Sequence, residues 1–136
     1  SEYCRTCQVL QQRRKFQMKN TPEDIKRLEI EFKKCQKILS AIGDKTRQHL
    51  ICTMLNGECS GSRVVDIAKR ANLSRAAASH HMQILKSAGI VKDRKEGTFI
   101  YYYLNLDISE LNNLITLFCD IKELMKNVPE RSNEEL

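Results

Sequence analysis

Glycine and proline are scarce, with 5 Gly and 2 Pro in 136 residues. That composition excludes a loop-rich, low-complexity or collagen-like chain. No apolar run approaches the length of a membrane span, and the first residues carry no signal-peptide pattern. We therefore expect a soluble, cytoplasmic protein with no membrane partner. The length suggests one domain with an extension, whose small core would gain from dimerisation.

What is present is positive charge, and it is unevenly placed. The net charge is +6. Residues 60–105 hold eight Lys/Arg against three Asp/Glu, and residues 1–20 hold five against one. Residues 106–136 reverse the balance, with three against seven. A basic middle and a basic N-terminal stretch are the footprint expected for phosphate binding, although a solvated basic surface has the same composition. The six cysteines are Cys4, Cys7, Cys35, Cys52, Cys59 and Cys119. Without a secretion signal they read as thiols, metal ligands or redox-active pairs rather than as a disulfide framework.

In chain order, residues 1–20 form a basic N-terminal arm, with a helix possible over 3–19 around Arg13, Arg14 and Lys15. Residues 21–128 form the main domain, and 129–136 a frayed tail. Thr21-Pro22-Glu23-Asp24 predicts a helix start with Thr21 as N-cap and Pro22 at the first helical position. Ile25, Leu28, Phe32, Cys35, Leu39 and Ile42 follow in steps of three and four, a narrow seam for packing between helices or subunits. A second helix over 44–55 presents Leu50, Ile51, Met54 and Leu55. Ser62 is expected to cap a third, over 64–71, with Val64, Ile67 and Ala68 inward. Asn72-Leu73 predicts a tight turn, and Ser74 the cap of a fourth helix that ends at Gly89. Strands 90–94 and 98–105 around Lys95-Glu96-Gly97 predict a hairpin with both faces of its second strand able to pack. A last helix, 108–128, carries the stripe Ile108, Leu111, Leu114, Phe118, Ile121 and Met125. The expected fold is mainly α with a β-hairpin wing, a winged helix-turn-helix of order α-α-α-α-β-β-α, with the extra N-terminal helical arm.

At 100° per residue the fourth helix points Ala78, Met82 and Leu85 inward. Arg75, Ser79, Gln83 and Lys86 share the outward face, with Ala76 at its edge and His80 at its rim. Small residues permit close approach to a major groove, Arg and Gln offer hydrogen bonds to base edges, and Lys meets phosphate. Ser74 at the helix start joins this set. On the hairpin Arg94, Lys95, Gly97 and Thr98 can reach backbone or minor groove. The expected partner is double-stranded operator DNA.

The motifs Leu39-Ser-Ala-Ile-Gly-Asp-Lys-Thr-Arg47, Val65-Asp-Ile-Ala68, Ser79-His80-His81-Met82-Gln83-Ile84-Leu85, Ala88-Gly89-Ile90-Val91 and Tyr101-Tyr102-Tyr103-Leu104 together resemble the ArsR/SmtB family of winged-helix repressors. The resemblance spans about residues 30–125. It implies a homodimeric transcriptional repressor, not an enzyme, whose terminal helices pair across the dimer and whose grip on DNA answers to an effector. It also implies a structural or DNA-facing role for His80 and His81 rather than a metal site.

The family's metal sites are altered here. The usual Cys-x-Cys falls on Arg63 and Val65, and the last-helix site maps to Asp107, Ser109, Asp120 and Glu123. Those oxygen ligands suit a solvated face better than zinc. Segments 52–58 and 114–119 are similar to the persulfide- and redox-sensing branch, which implies a sulfane-sulfur or disulfide switch between Cys52 and Cys119. Cys52 lies off its helix's apolar face, and Cys119 lies roughly 130° from the centre of the last stripe. The alternative is a metal-responsive repressor in which Cys4, Cys7 and Cys59 supply three thiolates for arsenite, cadmium or lead; zinc would want a fourth ligand. Haem stays open as another thiol-bound effector. A distant alternative is a thiol-redox protein built on Cys4-x-x-Cys7, although no strand–helix redox unit surrounds that motif.

Overall fold

The computed structural model describes residues 20–128; the expected arm helix, Cys4, Cys7 and the tail 129–136 lie outside them. Among the described residues there are five helices and one two-stranded antiparallel sheet. The helices are α1 (Pro22–Ile42), α2 (Lys45–Leu55), α3 (Val64–Ala71), α4 (Arg75–Ser87) and α5 (Ile108–Lys126), with β1 (Val91–Glu96) and β2 (Phe99–Leu104) between the last two. The architecture is a winged helix-turn-helix. No helix among the described residues is long and apolar enough to cross a membrane.

The chain divides into two compact units. One comprises residues 36–108, with the end of α1, helices α2 to α4 and the hairpin. Its core is a cluster that includes Ala41, Leu50, Ile67, Met82, Leu85, Val91 and Tyr102. Each fully buried Leu, Ile or Met contributes about 1.5–3 kcal/mol. Local chemistry sets the helix limits. The Asp44 carboxylate accepts the Arg47 amide at 3.0 Å and starts α2. The orphan carbonyls at the end of α1 are taken up by α2. Arg47 donates from Nε to Ala41 at 2.6 Å and from Nη2 to Ser40 at 3.2 Å, and Gln48 donates to Ile42 at 2.7 Å. Asn72 ends α3 in the left-handed region at φ 56°, and Ser74 opens α4 by accepting the Ala77 amide at 3.1 Å. That single turned residue between two caps makes the tight helix–turn–helix possible.

Several expectations are corrected in this unit. Ser62 does not cap α3; the N-cap position is Arg63, which makes no side-chain cap. Ser62 is instead drawn into an isolated bridge with Tyr102, exchanging hydrogen bonds of 2.9 and 2.8 Å. Leu55 is 68% exposed rather than packed, because it follows Met54 round to the outer side of the last turn of α2. The hairpin pairs Glu96 with Phe99, so its loop is Gly97-Thr98, not 95–97. Gly97 takes φ 61°, which suits the first central position of a two-residue turn. The second strand packs mainly through Tyr102, while Phe99 and Ile100 are exposed.

The second unit holds residues 20–35 and 109–128. Thr21 Oγ1 accepts the Asp24 amide at 3.2 Å, which caps α1. Leu28 and Cys35 are buried, but Ile25 and Phe32 are exposed; further along α1, in the first unit, Ile38 and Ala41 are buried. On α5 the stripe is also corrected. Leu114 and Leu117 are buried, whereas Ile108, Leu111, Phe118 and Met125 stand outside. The buried face is turned by roughly a quarter of the helix circumference from the expected stripe. Both helices are apolar on more than one side, and periodicity does not say which side meets the chain's own residues. Asp120, read as part of a solvated face, is buried, and so is Cys119.

Candidate nucleic-acid interface

Helix α4 presents its two faces as its sequence requires. Ala78, Met82 and Leu85 are fully buried, which fixes the helix against the core. Arg75, Ala76, His80, Gln83 and Lys86 are exposed, and Ser79 is half-buried. Ser74 is exposed and its oxygen is committed to the Ala77 amide, leaving its hydroxyl hydrogen to donate elsewhere. Lys95, Gly97 and Thr98 are exposed at the hairpin tip.

Besides Ser74, three more residues of the expected set are engaged within the chain. Lys86 Nζ lies 2.8 Å from Asp93 Oδ2, and that hydrogen bond raises the lysine's pKa, so it stays a cation. The pair is exposed, so phosphate can compete for the ammonium. Gln83 donates from Nε2 to the Tyr102 hydroxyl at 3.3 Å. Arg94 is the largest departure. It hydrogen-bonds the Ser60 carbonyl through Nη1 and Glu96 through Nε at 3.0 Å, and lies 5.1 Å from the centre of the Tyr101 ring. It braces the loop before α3.

His81 is half-buried, with Nδ1 3.4 Å from Arg47 Nη1, which ties α4 to the start of α2. His80 is exposed, its ring centre 5.6 Å from that of His81. Among the described residues no three His, Cys, Asp or Glu side chains are grouped to hold a metal ion. Tyr102, Asp93 and Arg63, whose guanidinium sits 4.1 Å above the Phe99 ring, were not singled out from sequence. Their partners lie across the fold, where no local spacing points.

The described cysteines differ in surroundings. Cys52 is exposed on α2 and Cys59 is exposed in the loop before α3. Cys119 is buried on α5. Cys35 is buried too; loss of solvent, then the nearby Glu110 and Glu31, push its thiol pKa up, which disfavours the reactive thiolate.

Residues 44–93 match the family described as bacterial regulatory protein, arsR family. The chain is 37% identical over 71 residues to the transcriptional repressor SdpR of Bacillus subtilis (strain 168), an alignment covering 52% of this chain and 76% of the relative. It is 41% identical over 70 residues to a cadmium resistance transcriptional regulatory protein, a CadC homolog, of Staphylococcus aureus, covering 51% and 55%. Among solved structures, reduced HlyU from Vibrio cholerae N16961 aligns with a TM-score of 0.53 at 26% identity, covering 70% of this chain and 95% of that one.

Proposed function

The chain belongs to the arsR family of bacterial regulatory proteins, and from that premise we propose that it is a homodimeric transcriptional repressor that reads double-stranded operator DNA with α4 and the hairpin. The observation that carries this reading is the face of α4. Small and hydrogen-bonding side chains stand exposed on a helix whose opposite face is fully buried, next to a hairpin that exposes Lys92 and Lys95. Ser74, Arg75, Ala76, Ser79, His80 and Gln83 would meet the major groove, and Lys86, Lys95, Gly97 and Thr98 the backbone beside it. Arg94 serves this surface by bracing the hairpin.

The effector we propose acts on thiols. Cys52 and Cys119 would pass two electrons, with loss of two protons, to a peroxide that is reduced to water or to a sulfane-sulfur donor that releases sulfide, forming a disulfide, or a polysulfide where the donor also leaves a sulfur atom between the two; either bridge weakens the hold on DNA. The exposure of Cys52 supports this, as does the likeness to HlyU, a structure of which holds the protein in its reduced form. Burial of Cys119 means that the packing around α5 must open before its sulfur reacts. The competing reading uses the exposed Cys59 with Cys4 and Cys7 as thiolate ligands for a soft metal or metalloid ion, in keeping with the cadmium-resistance regulator among the relatives.

One mobility-shift series separates these readings, using DNA from the promoter of the protein's own locus. Reduced protein should prefer that DNA over random DNA, and persulfide or peroxide should release it. Cys52→Ser should bind equally well and no longer respond. Release by cadmium or arsenite that survives Cys52→Ser but is lost in Cys59→Ser would favour the metal reading. Absence of any sequence preference, reduced or oxidised, would sink the repressor reading itself.

A further inference from the structure

Between the last turn of α2, the loop 58–62 and strand β2 lies a cleft of about 230 Å³. We propose that this cleft binds a small, uncharged aromatic molecule of about one ring, and that Tyr102 passes its occupancy to Gln83 on the DNA-reading face. The second half of the proposal rests on the DNA-binding reading above; the first half does not.

Size limits the ligand. An apolar cavity of about 150 Å³ holds benzene, and drug-sized ligands need upward of about 300 Å³. The cleft therefore takes one ring with a short substituent. Its walls select further. Met54, Leu55 and Leu104 are apolar, Tyr102 and Tyr103 are aromatic, and Met54 and Cys59 add two polarisable sulfurs. Rings favour both the aromatic and the sulfur contacts. Among the described residues of the lining the charged one is Glu58, whose carboxylate disfavours an anion.

Tyr102 connects this cleft to the reading helix. It lines the cleft, is 6% exposed, and its main chain exchanges both hydrogen bonds with Ser62 in the opposite wall. Its hydroxyl accepts from Gln83 Nε2 at 3.3 Å. The same loop is held by Arg70, which donates to Ser62 Oγ at 3.0 Å, and by Arg94, which donates to the Ser60 carbonyl. A ring entering between loop and strand loads the Ser62–Tyr102 bridge and so displaces the hydroxyl that orients Gln83. With one Nε2 hydrogen given to Tyr102, the exposed amide keeps its oxygen and its second N–H, the pair that reads N6 and N7 of adenine. Tyr102 is thus a positioning residue for base reading, and the cleft is where a ligand would reach it.

Calorimetry on the full chain without DNA tests the site, with phenol as probe. Phenol should bind saturably, one per chain, with benzoate and cyclohexanol at least tenfold weaker. Leu55→Trp places a ring in the cleft at an exposed position, so it should fold as the parent does and lose phenol binding at least tenfold. Equal phenol binding by Leu55→Trp, or no saturable binding to the parent, overturns the site. Operator titration by fluorescence anisotropy then tests the relay. Saturating phenol should weaken the parent's operator binding severalfold; Tyr102→Phe, which removes the hydroxyl that orients Gln83 and so starts from a lower operator affinity, should still bind phenol but respond to it by less than twofold, and a response equal to the parent's overturns the relay. Phenol binding without any change in the parent's operator affinity overturns the relay. A chain that binds phenol but prefers no DNA sequence overturns the relay together with the DNA-binding reading, while the site stands.

Discussion

Arg94 and Lys95 are neighbours in sequence and differ in what they are free to do. Arg94 is spent on Ser60, Glu96 and the Tyr101 ring, while Lys95 stands exposed near the hairpin tip. Lys95→Ala should lower affinity for every DNA sequence alike and reduce the slope of log affinity against log salt by about 0.9, one phosphate contact. Gln83→Ala should instead cost about 1–3 kcal/mol at one base pair and leave the salt slope alone. Titrations at several salt concentrations on operator and random DNA separate the two, and an unchanged slope in Lys95→Ala would remove it from the interface. The outward face of α4 was legible because a helix places side chains by spacing alone. The Lys86–Asp93 and Gln83–Tyr102 pairs were not, because each depends on how the chain folds back after Gly89, where φ is 78°. Sequence therefore named the polar residues of the candidate surface without telling which ones the chain itself already holds.

At the scale of elements, the same division holds between local and distant causes. Thr21, Asp44 and Ser74 all cap helices by accepting an amide three residues on; Thr21 and Ser74 are legible as caps in their own short segments, whereas Asp44, expected as the first residue of its helix, stands one position before it. Ser62 has the same side-chain chemistry and the same apparent position, yet its backbone pairs with Tyr102 some forty residues later. A cap needs the residue to sit at the first turn of the helix, and the bridge holds Ser62 one position too early. The hairpin follows the same logic, since its two-residue loop is fixed by the Glu96–Phe99 pairing rather than by the glycine alone. Ser74→Ala should destabilise the chain by about 1 kcal/mol, the loss of one N-cap. Ser62→Ala keeps the backbone bridge and loses only the exposed hydrogen bond from Arg70, so it should cost less, about 0.5 kcal/mol. Urea denaturation of both variants measures the difference; an equal loss would mean that the Arg70 hydrogen bond to Ser62 is worth as much as a cap.

At the scale of the whole molecule, the outstanding feature is apolar surface left outside. Ile25 and Phe32 on α1 are exposed seven residues apart, and Leu111, Phe118 and Met125 on α5 repeat the same interval. A seven-residue apolar repeat on an exposed helix face is what a helix-to-helix seam requires, and an isolated chain has little reason to keep it. The spacing was legible in sequence; that these residues would be the ones not used by the chain's own core was not, since α5 also carries the buried Leu114 and Leu117. Phe118, 52% exposed, is the residue through which to test the proposed homodimer. Phe118→Lys puts a charge into the seam without touching the buried face of α5, so the monomer should keep its helical circular dichroism. In sedimentation equilibrium it should dissociate at concentrations where the parent remains a dimer. Its melting temperature should also lose the dependence on protein concentration that association imposes. Operator binding should weaken with it, because two half-sites are then no longer held by one particle. A Phe118→Lys chain that sediments as the parent does would take α5 out of the dimer interface and leave its exposed apolar repeat for another partner.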